Sequence, residues 1–218
     1  MLKLQILKKI IIILLLCNKS FSQKIIEKEI AANHYKSIEI SSDKIHHINL
    51  ISTDLNTISI ITRIEGQDHE SVVLSLLEKN NILFIKPDTT PFFKSINDKL
   101  AAHKVQSIEI ELKLPKQLGI TINSKIASLT STGSFNFVVT SLQQGNCTLT
   151  NFEGNANLSS KSGFINVSSK ANIKGDARSK SGFIINELSD NLRSNYKIIA
   201  ETKLLDERLK KLLKENDN

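Results

Sequence analysis

The sequence predicts an all-β chain, a β-solenoid of short strands with a C-terminal amphipathic helix, and three observations point to it. The first is a phrase recurring over residues 128–188: a glycine, any residue, an apolar residue, a spacer, another apolar residue. Its copies are Gly133-Ser134-Phe135-Asn136-Phe137, Gly145-Asn146-Cys147-Thr148-Leu149, Gly154-Asn155-Ala156-Asn157-Leu158 and Gly163-Phe164-Ile165-Asn166-Val167, with degraded copies at Gly175 and Gly182. They hold six of the eight glycines, at intervals of 12, 9, 9, 12 and 7 residues. Glycine there marks a bend, and the alternating pair after it an inward-facing strand. Two strands then fill each unit of roughly 20 residues, as a β-solenoid or a tight meander requires. The second observation is an echo: Ser160-Lys161-Ser162-Gly163-Phe164-Ile165 returns as Ser179-Lys180-Ser181-Gly182-Phe183-Ile184, 19 residues on, which favours stacked rungs over unrelated hairpins. The third is composition. With no Trp, 5% aromatics and much Ile, Ser, Thr, Asn and Lys, the chain suits strands and turns, whereas scarce alanine argues against a helical bundle.

Residues 1–22 read as a signal peptide. Lys3, Lys8 and Lys9 precede Ile10-Ile11-Ile12-Ile13-Leu14-Leu15-Leu16, and Ser20-Phe21-Ser22 stands before Gln23: a basic start, a short apolar core and a small-x-small cleavage site. The apolar run falls short of the roughly 20 residues of a membrane span, so the expectation is export, with no transmembrane span after removal. A retained N-terminal anchor is the alternative. A lipid on Cys17 is disfavoured, because Leu16 occupies the place of the usual small residue. Removing Lys3, Lys8, Lys9 and Lys19 lowers the net charge from +7 to +3, 25 basic against 22 acidic residues, and with it the case for nucleic-acid binding. Cys147 is then the single cysteine, so no intramolecular disulfide can form. As it shares the inward slot of Phe135, Ala156 and Ile165, its thiol is expected to be buried and inert.

Residues 23–200 make one strand-repeat domain in this reading, strand-rich over 24–115 and glycine-marked over 120–190. Ile38 and Ile40 alternate with Glu39, Ile48 and Leu50 with Asn49, Ile58 and Ile60 with Ser59, and turn-formers separate them at Ser41-Ser42-Asp43 and Asp54-Leu55-Asn56. Residues 71–79 could read as a helix by their leucines. A strand is preferred, because Lys79-Asn80-Asn81 is a turn and an apolar run at 82–85 completes a hairpin. Residues 87–104 break the rhythm with two prolines and Phe92-Phe93, either a plug beneath a long loop or a contact surface. Over 107–114, Ile108, Ile110, Leu112 and Leu114 face one way and Glu109, Glu111 and Lys113 the other, until Pro115 stops the strand. Finally, 201–214 places Leu204, Leu205, Leu209, Leu212 and Leu213 on one helical face, with Asp206 and Glu207 early and Lys210, Lys211 and Lys214 late, the order a helix dipole favours. This predicts a C-terminal helix and tail over 201–218.

Ser107-Ile108-Glu109-Ile110-Glu111-Leu112-Lys113-Leu114-Pro115-Lys116, followed by glycine-marked repeats, resembles the bacterial putative-adhesin family of exported β-strand-repeat domains of unknown function. The resemblance covers about 35–188 and departs at the leucine-rich end. It implies a right-handed β-helix-like domain in the periplasm or on the outer surface of a Gram-negative bacterium, with no catalytic residues to carry over.

The chemistry of an enzyme is missing. Glu153, Asp176, Glu187 and Asp190 fall in different units, unpaired for two-carboxylate hydrolysis. Glu109 and Glu111 share a solvated strand face. His46 and His47 are neighbours that point to opposite faces of a strand, and His34, His69 and His103 lie at no ligand spacing. Ser162-Gly163 and Ser181-Gly182 lack the frame of a nucleophile elbow. The expectation is a non-catalytic module without metal or cofactor, contacting an envelope protein, a glycan or a cell-surface partner. The alternative is a periplasmic regulatory or sensing domain in an envelope-stress system, which rests on the resemblance alone.

Overall fold

The computed structural model describes residues 23–66, 68–91, 106–180 and 194–204. They form β1 (Gln23–Ala31), β2 (Ser37–Ser41), β3 (Ile45–Thr53), β4 (Thr57–Gly66), a 3-10 turn (His69–Ser71), β5 (Val72–Lys79), β6 (Ile82–Thr89), β7 (Gln106–Pro115), β8 (Gly119–Ser124), β9 (Ser128–Gln144), β10 (Cys147–Ser162), β11 (Ile165–Val167), β12 (Ile173–Ser179) and β13 (Tyr196–Leu204). All belong to one 13-stranded, nearly closed sheet. It turns on itself because β9 and β10, 17 and 16 residues long, each belong to two faces. The first parts of β9 and β10 pair with each other and flank β3 and β11; their second parts pair again and flank β8 and β13.

One face therefore runs β1-β4-β7-β3, then the first parts of β9 and β10, then β11. The other runs β5-β6-β2-β8, then the second parts of β9 and β10, then β13-β12. At one end the pairs β1/β4, β4/β7 and β5/β6 are antiparallel; the remaining pairs are parallel. Among β8, β9, β10 and β11 register advances 18 residues per step: Ile120 pairs with Val138 and Val138 with Ala156, while Leu129 pairs with Cys147 and Cys147 with Ile165.

Alternation builds the interior. On one face Ile48, Leu50, Ile108, Ile110, Leu112, Leu129, Cys147 and Leu149 point inward, and on the other Ile38, Ile40, Ile120, Ile122, Val138, Ala156 and Leu158. They form one continuous core, each large aliphatic side chain contributing about 1.5–3 kcal/mol by leaving water. The hairpin β5/β6 turns on Asn80 and Asn81, both left-handed at φ 54° and 62°. A two-residue turn of that kind matches the twist of its strands, and Asn tolerates the conformation.

Four expectations need correction. Counting by twos from Gly133 puts Phe137 with Phe135 on the inward face, yet Phe135 is buried while Phe137 is only half-buried and Val138 takes the inward place. Register irregularities between β9 and β10 at this bend explain the change of phase. The Phe137 ring lies so close over Gly119 that a Cβ there would fall 2.0 Å from Cε1. Gly175 does not mark a bend; it sits within β12, paired with Ile198. The 19-residue echo does not stack directly on its original, because β13 inserts between β10 and β12 and relates Ser160 to Ser179 only through Thr202. Lastly, residues 201–204 of the expected helix continue β13, where pairing on both edges satisfies more backbone groups than an isolated helical turn would. The rest of that stretch lies outside the described residues, as do Gly182 and the Phe92-Phe93 loop.

Candidate interaction groove

Chain reversals between the two faces line up in two rows. One comprises residues 42–44, 125–127, 145–146 and 163–164; the other comprises 116–118, 133–136, 151–154 and 168–172. In the first row backbone closes on backbone: Gln144 N–H donates to the Lys125 carbonyl at 2.6 Å, Leu129 to Asn146 at 2.8 Å, Gly145 to Ser162 at 3.1 Å and Cys147 to Phe164 at 2.9 Å. The second row has such bonds too, Asn136 N–H to the Leu118 carbonyl at 3.2 Å and Phe152 N–H to Ser168 at 3.0 Å, and it adds rings. Phe135 and Phe152, both buried, stack with centroids 6.3 Å apart and 18° between planes.

Over the Phe135 ring lies an open groove of about 620 Å³, lined by that ring, Lys116 and Gln117 after β7, Ser134 and Asn136 of the β9 bend, Glu153 and Asn155 of the β10 bend, and Tyr196 at the start of β13. Three of its side chains, Ser134, Glu153 and Tyr196, are tied together. Glu153 accepts the Ser134 hydroxyl at 3.1 Å and the Tyr196 hydroxyl at 3.4 Å. Asn155 Oδ1 accepts the Lys197 N–H at 3.0 Å, which leaves its amide donors available. Ser134 N–H donates to Ser52 Oγ at 2.9 Å, anchoring the bend that follows Gly133, φ 102°. Lys116 Nζ lies 2.7 Å from Asp54 Oδ1, and this bond, then the Asp54 charge, with a smaller part from Glu153, raises its pKa.

The other residues singled out from the sequence fall elsewhere. Gly133 and Gly154 belong to the open row, and Gly145 and Gly163 to the closed one. His47 bonds to Thr130 Oγ1 at 3.1 Å and His34 faces Glu78 at 3.2 Å, so they do not converge. Among the described residues no group of three or more His, Cys, Asp or Glu could hold a metal ion. Glu111 is tied to Arg63 and Lys113, each at 3.8 Å, and Asp176 to Arg178 at 3.4 Å, as a solvated sheet surface would be. Glu187 and Asp190 lie outside the described residues. Cys147 is fully buried, and burial pushes its thiol up to about 12. Among the described residues no helix is long and apolar enough to cross a membrane.

Of the groove residues, the sequence singles out only Glu153 for its chemistry, as a lone acid, while Ser134, Asn136, Asn155 and Lys116 enter only as parts of strand motifs. A signal for the rest was present: Ser134 to Glu153 and Asn136 to Asn155 are both steps of 19 residues, the interval of the Ser-Lys-Ser-Gly-Phe-Ile echo.

A putative cell adhesion protein from Clostridium sporogenes matches the structure with a TM-score of 0.50 at 13% identity, over 83% of this chain and 94% of that one. A putative adhesin from Parabacteroides distasonis gives 0.40 at 16% identity, over 72% of this chain and 69% of that one. No family model and no curated protein matches the sequence. The resemblance read from residues 107–116 and the glycine repeats thus meets a shared fold, carried by the first of these likenesses.

Proposed function

We propose that the chain is an exported, non-catalytic, adhesin-like module of the Gram-negative cell envelope, and that it makes contact through the groove over its open row of bends. One observation carries the reading: a stack of strands brings polar side chains from three separate bends together in one open groove. A lone carboxylate, Glu153, lines the groove and already accepts two hydroxyls, which suits binding better than acid–base chemistry. The 18-residue parallel step supports a β-solenoid in that half of the domain, and the resemblance supports its right hand. Export rests on residues 1–22, and the description of the first neighbour as a cell adhesion protein agrees with it. The purified protein should bind isolated bacterial envelopes saturably. Asn136→Ala combined with Glu153→Gln should weaken binding about tenfold or more, while Lys161→Ala combined with Phe164→Ala in the closed row should leave it unchanged. Binding indifferent to the first pair would remove the groove from the proposal.

A further inference from the structure

The groove chemistry points to an uncharged, hydroxyl-rich ligand, and we infer that it takes a neutral saccharide. This inference rests on the contact reading of the same groove. The lining mixes donors and acceptors: the amides of Gln117, Asn136 and Asn155, the Ser134 hydroxyl, one ammonium from Lys116 and one carboxylate from Glu153. Lys116 is already paired with Asp54, which leaves Glu153 as the one unbalanced charge and disfavours an anionic ligand, while a single carboxylate that already holds two hydroxyls is not a cluster that would draw a cation. An apolar peptide anchor finds no pocket either, because the Phe135 ring is 2% exposed and stacked on Phe152. Sugar hydroxyls, each both donor and acceptor, match amides and a carboxylate, and hydrogen bonds to the charged oxygen of Glu153 are the stronger kind.

Tyr196 supplies the remaining element. It is half-buried against the core and its hydroxyl is directed to Glu153, so its ring is held at the end of the groove. The negative face of such a ring attracts the polarised C–H edge of a pyranose. The volume lies within the roughly 300–1,000 Å³ of small-molecule sites. Because the three bends sit on neighbouring strands, the polar groups extend over about 10 Å along the stack, the reach of a short oligosaccharide rather than a single ring.

The test is a printed array of neutral oligomers of glucose, galactose, mannose and N-acetylglucosamine beside sialylated and sulfated glycans, read with the purified full chain, then titration with the best neutral oligomer. One neutral class should bind. Glu153→Gln, Asn136→Ala and Tyr196→Ala should each weaken it about tenfold, whereas Tyr196→Phe, which keeps the ring, should weaken it less than Tyr196→Ala. Asn136 and Glu153 are exposed, so loss in those variants at an unchanged melting temperature cannot be ascribed to unfolding. An array silent for neutral sugars, preference for acidic glycans, or neutral binding unchanged in the variants would each overturn the inference. If envelope binding still depends on the groove while the array is silent, the saccharide is wrong and the contact reading stands.

Discussion

The two rows of bends perform the same reversal by different means. In the closed row, successive turns lie backbone on backbone: a Cβ added to Gly145 would fall 2.1 Å from the Ala127 carbonyl oxygen, and its φ of 146° is one that side chains rarely adopt. The open row is equally close-packed in its backbone, a Cβ added to Gly154 falling 2.0 Å from the Phe135 carbonyl oxygen, but it adds the stacked, buried rings of Phe135 and Phe152 beneath its turns. The polar residues of those turns are lifted into a groove. Both rows are stitched turn to turn by backbone hydrogen bonds, Asn136 N–H to the Leu118 carbonyl at 3.2 Å and Phe152 N–H to Ser168 at 3.0 Å in the open one, so the open row is distinguished by its rings and by the groove above them. On the proposed contact reading, recognition belongs to the groove side alone, so exposed substitutions in the groove should lower binding and substitutions in the closed row should lower stability.

The largest effect is expected where the closed row enters the core. Cys147→Asp would bury a carboxylate beside Leu149 and Leu129 and should cost more than about 4 kcal/mol, read by chemical denaturation. Phe152→Ala removes the support of the open row and should cost about 3–4 kcal/mol. It should also abolish envelope binding, which no closed-row change of equal cost should do once the protein is refolded at low temperature. Gly145→Ala meets both the clash and the unfavourable φ and should cost about 2–3 kcal/mol with binding intact. Asn136→Ala, exposed in the groove, should change stability by no more than about 0.5 kcal/mol while binding falls.

A pH series sharpens the same contrast. The Cys147 thiol has a folded pKa raised from 9.0 to about 12 by burial, so the folded chain holds its proton where the unfolded chain releases it. Its contribution to stability is complete below pH 9 and is lost as the pH rises toward 12, at about 1.4 kcal/mol per unit. Cys147→Ala should flatten that part of the curve relative to wild type. A native thiol that reacts with a labelling reagent as fast as in denaturant would contradict the inward placement.

Much of this fold was legible because alternation and turn chemistry are local. The strands around Ile38, Ile48, Ile58 and Ile108, the Asn80-Asn81 hairpin and the inward Cys147 follow from spacing and from residues suited to left-handed turns. What escaped depended on partners. Phe137 changes face because the bend between Ser134 and Phe137 is irregular in register, and counting by twos assumes a straight strand. β13 inserts between two strands whose sequences echo each other, and residues 201–204 follow its pairing rather than the helical spacing of the leucines beyond. The groove was invisible because Lys116, Ser134, Glu153 and Tyr196 each read as an ordinary solvated turn or strand residue. Only the offset of about one rung between bends sets them side by side.

The separation of the two rows is tested most directly by hydrogen exchange of the protein with and without isolated envelopes. Added protection is expected at residues 116–118, 133–136, 153–155 and 196–197, with none gained at 125–127, 144–146 or 162–164. Protection appearing in the closed row instead, or equally in both, would contradict the assignment of recognition to the open side.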